Sequence, residues 1–181
     1  METAIKNLEN DHDNILGLIE VMEKMVLTLS TELSRMEMVA SLIKNYADGF
    51  HHAKEEKLLF PLLVKKGFSK EHGPVAVMLH EHAEGQNFVS GMTEEIEAYK
   101  NGDTSTLTKL YENMQGYIDL MRVHIAKENN VLFTMADKAL TDEEQQTLLK
   151  AFVAVEVTGY IKGRIRRFVT DIDGLKAIYG V

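Results

Sequence analysis

The sequence carries one ten-residue signature twice, HHAKEEKLLF at residues 51–60 and HIAKENNVLF at residues 124–133. Both copies fit the frame H-x-x-K-E-x-x-[LV]-L-F, in which a histidine precedes a glutamate by four residues. On an α-helix, four residues turn through about 400° and rise about 6 Å, so the two side chains leave the same face. A histidine and a glutamate on one helix face, repeated on a second helix, predict two halves of a metal site.

Two further histidines lie on apolar stripes with helical spacing. Around His12 the stripe contains Ile5, Leu8, Ile15, Ile19, Met22, Val26 and Leu29, and around His82 it contains Val75, Met78, Gly85, Val89, Met92, Ile96 and Tyr99. Steps of three and four residues mark the buried seam of a bundle helix. In each stripe the histidine is the only strongly polar member. The sequence therefore contains the same order of residues twice, a single histidine on an apolar stripe followed by a His-x-x-x-Glu pair.

Composition restricts the class of protein. A chain of 181 residues that is 45% hydrophobic can bury one substantial core, which predicts a single globular body. The formal net charge of −8 argues against a nucleic-acid or anionic-membrane partner. The absence of cysteine excludes disulfides and thiolate metal ligands. No run of about 18 apolar residues and no apolar N-terminal stretch occur, so we expect a cytoplasmic protein without membrane spans.

The order of helix signals predicts an all-α fold. Residues 1–140 should form an antiparallel, up-down-up-down four-helix bundle, and residues 141–181 a C-terminal extra helix packed on it. Thr3 is a candidate N-cap, Gly73 and Pro74 open the third helix, and Thr141 with Glu144 forms a capping box. Pro61 should bend or break the second helix after Phe60. The fourth helix carries the seam Leu107, Leu110, Met114, Tyr117, Met121, His124, Glu128, Val131 and Met135.

The second helix shows a conflict between its two halves. The stripe through His51 and Glu55, continued backwards, meets the polar residues Asp48, Lys44, Ser41 and Glu37. The apolar residues of the first half, Met36, Val39, Ile43, Ala47 and Phe50, form a different stripe. Either this half packs against another part of the chain, such as the C-terminal helix, or the helical register changes before His51.

Four imidazoles and two carboxylates in a bundle core describe a site for two metal ions bridged by carboxylates. A buried, unpaired carboxylate costs several kcal/mol or gives up its charge, so Glu55 and Glu128 on core seams call for cations. Asp11 and Glu81 each directly precede one of the seam histidines and are candidate acceptors for imidazole N–H groups.

These motifs resemble the hemerythrin-like (HHE cation-binding) domains over most of residues 1–138, and are similar to segments of bacterial di-iron proteins of nitrosative stress and iron–sulfur repair. The resemblance implies two non-haem iron ions, ferrous or ferric, bridged by an oxo or hydroxo group and by carboxylates. By position, the ligands it implies are His12, His51, Glu55, His82, His124 and Glu128. It further implies a stress-response protein that reacts with or senses O2, peroxide or nitric oxide, with a small diatomic or peroxide ligand and a redox partner. An oxidoreductase and an iron store, donor or sensor without turnover both stay open, as does a zinc or manganese bundle in which the metal serves hydrolysis or only stability.

The sequence departs from the oxygen-carrying members at two positions. Those proteins have an H-x-x-x-H pair on the third helix, where this chain has Met78 at the earlier place, and they end in His-x-x-x-x-Asp, where this chain has His124-x-x-x-Glu128. One imidazole fewer leaves more open coordination positions, which favours reaction with small oxidants over reversible oxygen carriage.

Several residues near the motifs have two readings. His52 and Glu56 repeat the same spacing one residue later, but Glu56 aligns with Asn129 in the second copy, so the frame of His51 and Glu55 is preferred. His52 is then either exposed or an outer neighbour of the ligands. His80 should face solvent, about 200° from His82. Tyr117 is first a core residue, with a hydrogen-bonding or redox role as the alternative.

The C-terminal segment, residues 141–181, contains the apolar residues Leu148, Phe152, Val155, Ile161, Ile165, Phe168 and Ile172 beside the basic residues Lys162, Arg164, Arg166 and Arg167. It could cover the bundle with its basic side chains in solvent, or form a homo-oligomer or partner contact. The sequence leaves both readings open.

Overall fold

The fold is all-α in this computed structural model, which describes residues 2–157 and 163–181. Within these ranges there is no β-strand. The helices are α1 (Ala4–Leu27), α2 (Leu33–Leu42), α3 (Phe60–Lys65), α4 (Pro74–Lys100), α5 (Leu107–Lys127), α6 (Phe133–Ala139), α7 (Asp142–Val157) and α8 (Arg164–Tyr179). Three π-helical segments, π1 (Ile43–His52), π2 (Glu55–Leu59) and π3 (Glu128–Leu132), join α2 to α3 and α5 to α6. A 3-10 turn, Thr104–Thr106, leads into α5.

The predicted helix ends are confirmed where capping chemistry marked them. The Thr3 hydroxyl accepts a hydrogen bond from the backbone N–H of Lys6 at 3.1 Å. Thr141 and Glu144 form the reciprocal capping box, with Glu144 N–H donating to the Thr141 hydroxyl at 3.3 Å and Thr141 N–H donating to the Glu144 carboxylate at 2.9 Å. Pro74 occupies the first turn of α4 directly after Gly73.

Pro61 does not end the second long helix of the bundle, which runs from α2 through π1 and π2 to α3. It lies in the first turn of α3, immediately after π2, where the missing N–H costs little. The break expected after Phe60 takes the form of a change from π-helical to α-helical winding.

The π-helical segment π1 resolves the conflict between the two halves of the second rod. The apolar stripe Met36, Val39, Ile43, Ala47 and Phe50 is buried, and so is His51. Because π1 winds with i→i+5 hydrogen bonds, each residue turns through a smaller angle than in an α-helix, and the inward face moves along the sequence. The first half also packs against the C-terminal segment, where the rings of Tyr46 and Phe168 lie 6.3 Å apart.

The straight seam expected for the fourth helix is wrong beyond Glu128. Val131 is 47% exposed and Met135 is 40% exposed, whereas Leu132 and Ala136 are buried. The extra residue that π3 accommodates in its turn shifts the buried face by one position.

Two apolar layers form the core, and α1 runs through both. The first layer holds Ile15 and Ile19 of α1 with residues of α2, π1, α4 and α5, and α8 covers it through Ile172 and Leu175. The second layer holds Ile5 and Leu8 of α1 with residues of α3, α4 and α6, and α7 covers it through Leu148 and Phe152. His12 lies between the two layers, so the candidate metal site is enclosed from both ends.

The C-terminal segment contains two described helices, where the sequence predicted one. Gly163 has a φ of 76° and precedes α8, and a left-handed residue interrupts a continuous α-helix. Residues 158–162 lie outside the described part of the chain. The up-down-up-down order, the boundary at residue 140 and a homo-oligomer contact through this segment stay predictions. None of the described helices combines the length and apolarity needed to cross a membrane.

Candidate metal centre

Six predicted side chains meet between the two apolar layers. His12 comes from α1, His51 from π1, His82 from α4 and His124 from α5, while Glu55 and Glu128 open π2 and π3. All six are buried, none being more than 1% exposed. The two motif copies therefore have the same local structure, because in each of them the glutamate starts a π-helical segment and the phenylalanine starts the following α-helix.

Each carboxylate approaches two imidazoles. One Glu128 oxygen lies 3.2 Å from His12 Nε2 and 3.3 Å from His124 Nε2. The two Glu55 oxygens lie 3.7 Å from His51 Nε2 and 3.5 Å from His82 Nε2. The glutamates therefore lie between the two pairs of histidines.

The outer nitrogen of each of these imidazoles faces an oxygen. Asp11 contacts His51 Nδ1 at 3.2 Å, and Glu81 contacts His124 Nδ1 at 3.0 Å. These are the acidic residues that directly precede His12 and His82, and each orients a histidine on a neighbouring helix. A carboxylate at Nδ1 holds the ring proton there and leaves the Nε2 lone pair directed at the centre.

The residue after each glutamate completes the set. Glu56 contacts His82 Nδ1 at 2.7 Å, and Asn129 contacts His12 Nδ1 at 2.7 Å. In the sequence, the mismatch between Glu56 and Asn129 favours Glu55 as the ligand and indicates no role for either residue. The structure shows these two residues in equivalent positions, one a carboxylate and the other an amide.

The lysine and the phenylalanine of the repeated frame also have equivalent contacts. Lys54 forms an ion pair with Asp11, and Lys127 forms one with Glu81. Phe60 stacks on His82 with ring centroids 5.9 Å apart, and Phe133 stacks on His12 at 5.4 Å. Each copy of the frame thus supplies a histidine, a lysine that pairs with the acidic acceptor of that histidine, and a central glutamate. The residue after the glutamate contacts a second histidine on another helix, and the phenylalanine packs on the ring of that second histidine.

Burial sets the charge state of the two central carboxylates. Desolvation, followed by the charge of Glu128, raises the pKa of Glu55 well above its usual range. Burial would also raise the pKa of Glu128, but the imidazoles of His124 and His12 hold it well below its usual range. Burial, followed by the charge of His12, lowers the pKa of His51 to about 4, so its ring is neutral, as metal binding requires.

The donor atoms that face the centre lack protein partners. The Nε2 atoms of the four histidines and both oxygens of Glu55 and of Glu128 are buried without a hydrogen-bond partner among the described residues. When a metal ion takes the place of any proton on Nε2, the rings are neutral with their protons on Nδ1, and the nitrogen and oxygen atoms that lie 3.2 to 3.7 Å apart are then all acceptors that no hydrogen bond can join. Buried acceptors without donors are costly, and a cation is the partner that fits this set of donor atoms.

The family model of the hemerythrin HHE cation-binding domain matches residues 3–136. The chain belongs to this family. Among curated relatives, the iron-sulfur cluster repair protein YtfE of Edwardsiella ictaluri (strain 93-146) is 33% identical over 89 residues, and its namesake in Dickeya chrysanthemi (strain Ech1591) is 36% identical over 89 residues. The match covers 48% of this chain and 40% of each relative. No solved structure gives a significant match.

This hemerythrin-family chain places a fifth imidazole beside the other four. His52, expected to be exposed or an outer neighbour, is only 2% exposed and stacks on His82 with ring centroids 3.8 Å apart. In the described part of the chain, two groups of donors are close enough to hold a metal ion, with ligand atoms within 4.8 Å of one another: His12, His51, Glu55 and Glu128 in one, and His52, His82 and His124 in the other.

The remaining candidates are not members of these two groups of donors. His80 and His72 are exposed. Tyr117 is 1% exposed, and its hydroxyl has no hydrogen-bond partner among the described residues. Burial, followed by the charge of Asp48, raises its pKa well above the usual range, so the phenol keeps its proton.

Proposed function

We propose that this chain holds two iron ions, one between His12 and His51 and one between His82 and His124, with the carboxylates of Glu55 and Glu128 shared between them. One observation carries the proposal: eight buried acceptors, four imidazole nitrogens and four carboxylate oxygens, converge without a donor among the described residues. Imidazole and carboxylate without thiolate suit iron, and the named activity of the relatives concerns iron-sulfur clusters.

The surrounding residues fix the geometry and charge of this set. Asp11, Glu81, Glu56 and Asn129 hold the outer nitrogens of the four imidazoles, so that the Nε2 atoms need little reorganisation to bind an ion. Lys54 and Lys127 neutralise Asp11 and Glu81, which leaves Glu55 and Glu128 as the central charges that balance the cations.

The bound irons would supply one-electron redox chemistry with small oxidants. We propose O2, peroxide or nitric oxide as reactants, because apolar layers close the site at both ends and admit only small molecules. Reversible oxygen carriage is not expected, since Met78 replaces an imidazole of the oxygen carriers. By similarity to the repair proteins, the chain would act in the cytoplasm in a stress response, with a redox partner returning electrons.

The test is iron analysis of freshly purified protein, with optical spectra before and after O2, hydrogen peroxide and nitric oxide. We expect about two irons per chain and spectral changes with at least one reactant. Glu55→Ala should lose iron, while His80→Ala, which changes an exposed histidine of the same region, should keep it. A metal-free protein, or loss of iron in His80→Ala but not in Glu55→Ala, would contradict the ligand assignment. A fully reversible oxygen adduct would contradict the proposed reactivity.

A second candidate function, an iron donor or metal-dependent sensor, is favoured by one contact. Lys54 is fully buried, and its ammonium group lies 3.8 Å from Glu156 of α7 and 5.3 Å from the centroid of Phe152. Lys54 also pairs with Asp11, which in turn contacts the proposed ligand His51. A residue of α7 therefore contacts the lysine that helps to position this ligand. Sensing predicts that iron changes protease cleavage near residues 142–181, and that Glu156→Gln reduces this change. Identical cleavage with and without iron would exclude it.

A further inference from the structure

We propose that His52 is a fifth imidazole ligand and binds the ion held by His82 and His124. The inference rests on the proposed function, because it requires an ion between those two histidines. It gives the two halves of the centre unequal ligand sets, with two imidazoles in one half and three in the other.

The position of His52 is the first support. Its ring lies parallel to that of His82, at 3.8 Å and an interplanar angle of 14°, and edge-on to that of His124 at 5.7 Å. One ligand nitrogen from each of the three rings lies within 4.8 Å of the other two. Both nitrogens of His52 are buried without a hydrogen-bond partner among the described residues. A packed core histidine would normally satisfy at least one of them.

The surroundings of His52 repeat the construction of the other four histidines. Its Nδ1 faces an oxygen, Asp48 Oδ1 at 3.2 Å, although the contact lacks hydrogen-bond alignment. Its Nε2 has no partner, like the Nε2 atoms of His12, His51 and His82. A carboxylate oxygen beside Nδ1 and a free Nε2 approach the arrangement of metal-binding histidines, in which the carboxylate accepts the Nδ1 proton.

The winding of π1 explains how two consecutive residues reach one site. In an α-helix His51 and His52 would be about 100° apart, and only one of them could face the centre. The i→i+5 winding of π1 reduces this angle, and such segments are frequent at functional sites. In the second motif copy His124 lies in α-helical α5, and the next residue is the buried, apolar Ile125.

His52 also answers the departure at Met78. The sequence lacks the earlier histidine of the H-x-x-x-H pair on the third helix, which predicted a missing imidazole. His52 offers an imidazole beside His82 from the adjacent rod instead. With His52 bound, that half would have as many imidazoles as in the oxygen carriers, so the expectation against reversible oxygen carriage would then rest on the ending His124-x-x-x-Glu128 alone.

The rival explanation is that His52 only packs against His82 and binds no metal. Two variants distinguish packing from metal binding. His52→Phe keeps a stacking ring but removes both nitrogens, and His80→Phe makes the same change at an exposed position. After a challenge with a chelator, we expect wild type and His80→Phe to retain about two irons per chain and His52→Phe about one. In 57Fe Mössbauer spectra, one of the two iron signals should change. Wild-type iron retention and spectra in His52→Phe would overturn the proposal.

Chemical rescue gives an independent readout. Asp48, which lies 3.2 Å from the His52 ring, also lines a groove of about 600 Å³ that opens to solvent, and free imidazole would enter the position of a deleted ring from this side. In His52→Ala, added imidazole should restore retention of the second iron and its Mössbauer signal. Failure of imidazole to restore either one, in protein that folds normally by circular dichroism, would also overturn the proposal.

A measurement on the unaltered protein covers the case in which the variants do not fold. After substitution with Co(II), each coordinating imidazole gives one hyperfine-shifted, exchangeable N–H proton signal. Five signals are expected if His12, His51, His52, His82 and His124 all bind, and four signals would refute ligation by His52. Wild-type protein that binds neither iron nor cobalt would instead refute the proposed function itself.

Discussion

The two lysines of the repeated frame have the same partner chemistry but different surroundings. Lys54 is completely buried, where it pairs with Asp11 and donates to the Asn7 side chain at 2.8 Å. Lys127 pairs with Glu81 while 38% of its side chain stays exposed. At the residue scale, the lysine of the frame therefore contributes different amounts to the free energy of unfolding in the two copies, because water screens the ion pair of Lys127 and not that of Lys54.

This difference predicts unequal effects of the same substitution. Lys54→Met should lower the free energy of unfolding by about 3 kcal/mol, since it leaves Asp11 buried without its cation. Lys127→Met should cost no more than about 1 kcal/mol, because solvent reaches that pair. Urea unfolding of the two variants and wild type measures both values, and equal losses would contradict the explanation from burial.

The difference between Glu56 and Asn129 gives a second prediction at this scale. Glu56→Gln removes the carboxylate that polarises His82, and outer partners of metal-binding histidines are worth about 10- to 100-fold in affinity. We therefore expect Glu56→Gln to weaken iron binding at the His82 half by that factor in a chelator competition. The control is Glu84→Gln, an exposed position on the same helix, α4. Unchanged affinity in Glu56→Gln would mean that an amide and a carboxylate serve equally well.

At the scale of elements, the type of helical winding decides which residues face the candidate metal centre, and helix length matters less for this. The π-helical segments at both motif copies shift the buried face by one residue, which brings His51 inward and turns Val131 out to solvent. The helices of the C-terminal segment are held differently, α7 by a capping box and both α7 and α8 by apolar contacts with the core layers. The cap of α7 is the part of this attachment that a single substitution can remove.

Thr141→Ala should therefore destabilise the start of α7. Loss of an N-cap hydroxyl costs about 1 kcal/mol, and here the capping box loses its reciprocal bond as well. Amide hydrogen exchange should become faster in the first turns of α7, with little change in α4. Thr147→Ala, at an exposed interior position of the same helix, is the matched control and should exchange no faster than wild type.

At the scale of the whole molecule, the candidate metal centre is a polar layer between two apolar ones. Without cations, Glu55 and Glu128 stay buried next to each other, and the raised pKa of Glu55 reflects its desolvation and, after that, the charge of Glu128. Four rods converge on this layer, so cations bound there would join all of them. Folding and metal binding should consequently be coupled.

Metal removal tests this coupling. Iron at 100 times its dissociation constant would add about 3 kcal/mol to the free energy of unfolding, so apo protein should melt at a clearly lower temperature. Calorimetry of chelated and iron-loaded protein measures the shift. Glu55→Ala should show a smaller shift on iron addition, and a wild-type protein with the same melting temperature in both states would argue against a structural role for the ions.

The sequence by itself determined the helical class and the capped helix ends, and it predicted the six candidate donors that meet in the structure, because periodicity, capping chemistry and the repeated frame are local patterns. It also marked Asp11 and Glu81, although not which histidine each one contacts. Only the tertiary structure decided that Glu56 and Asn129 are equivalent acceptors, that Lys54 is buried beneath α7, and that His52 lies beside His82. These features depend on π-helical winding and on packing between distant segments. A projection of the sequence onto an ideal α-helix leaves out the additional residue in a π-helical turn. It also leaves out the residues that a neighbouring helix brings into contact.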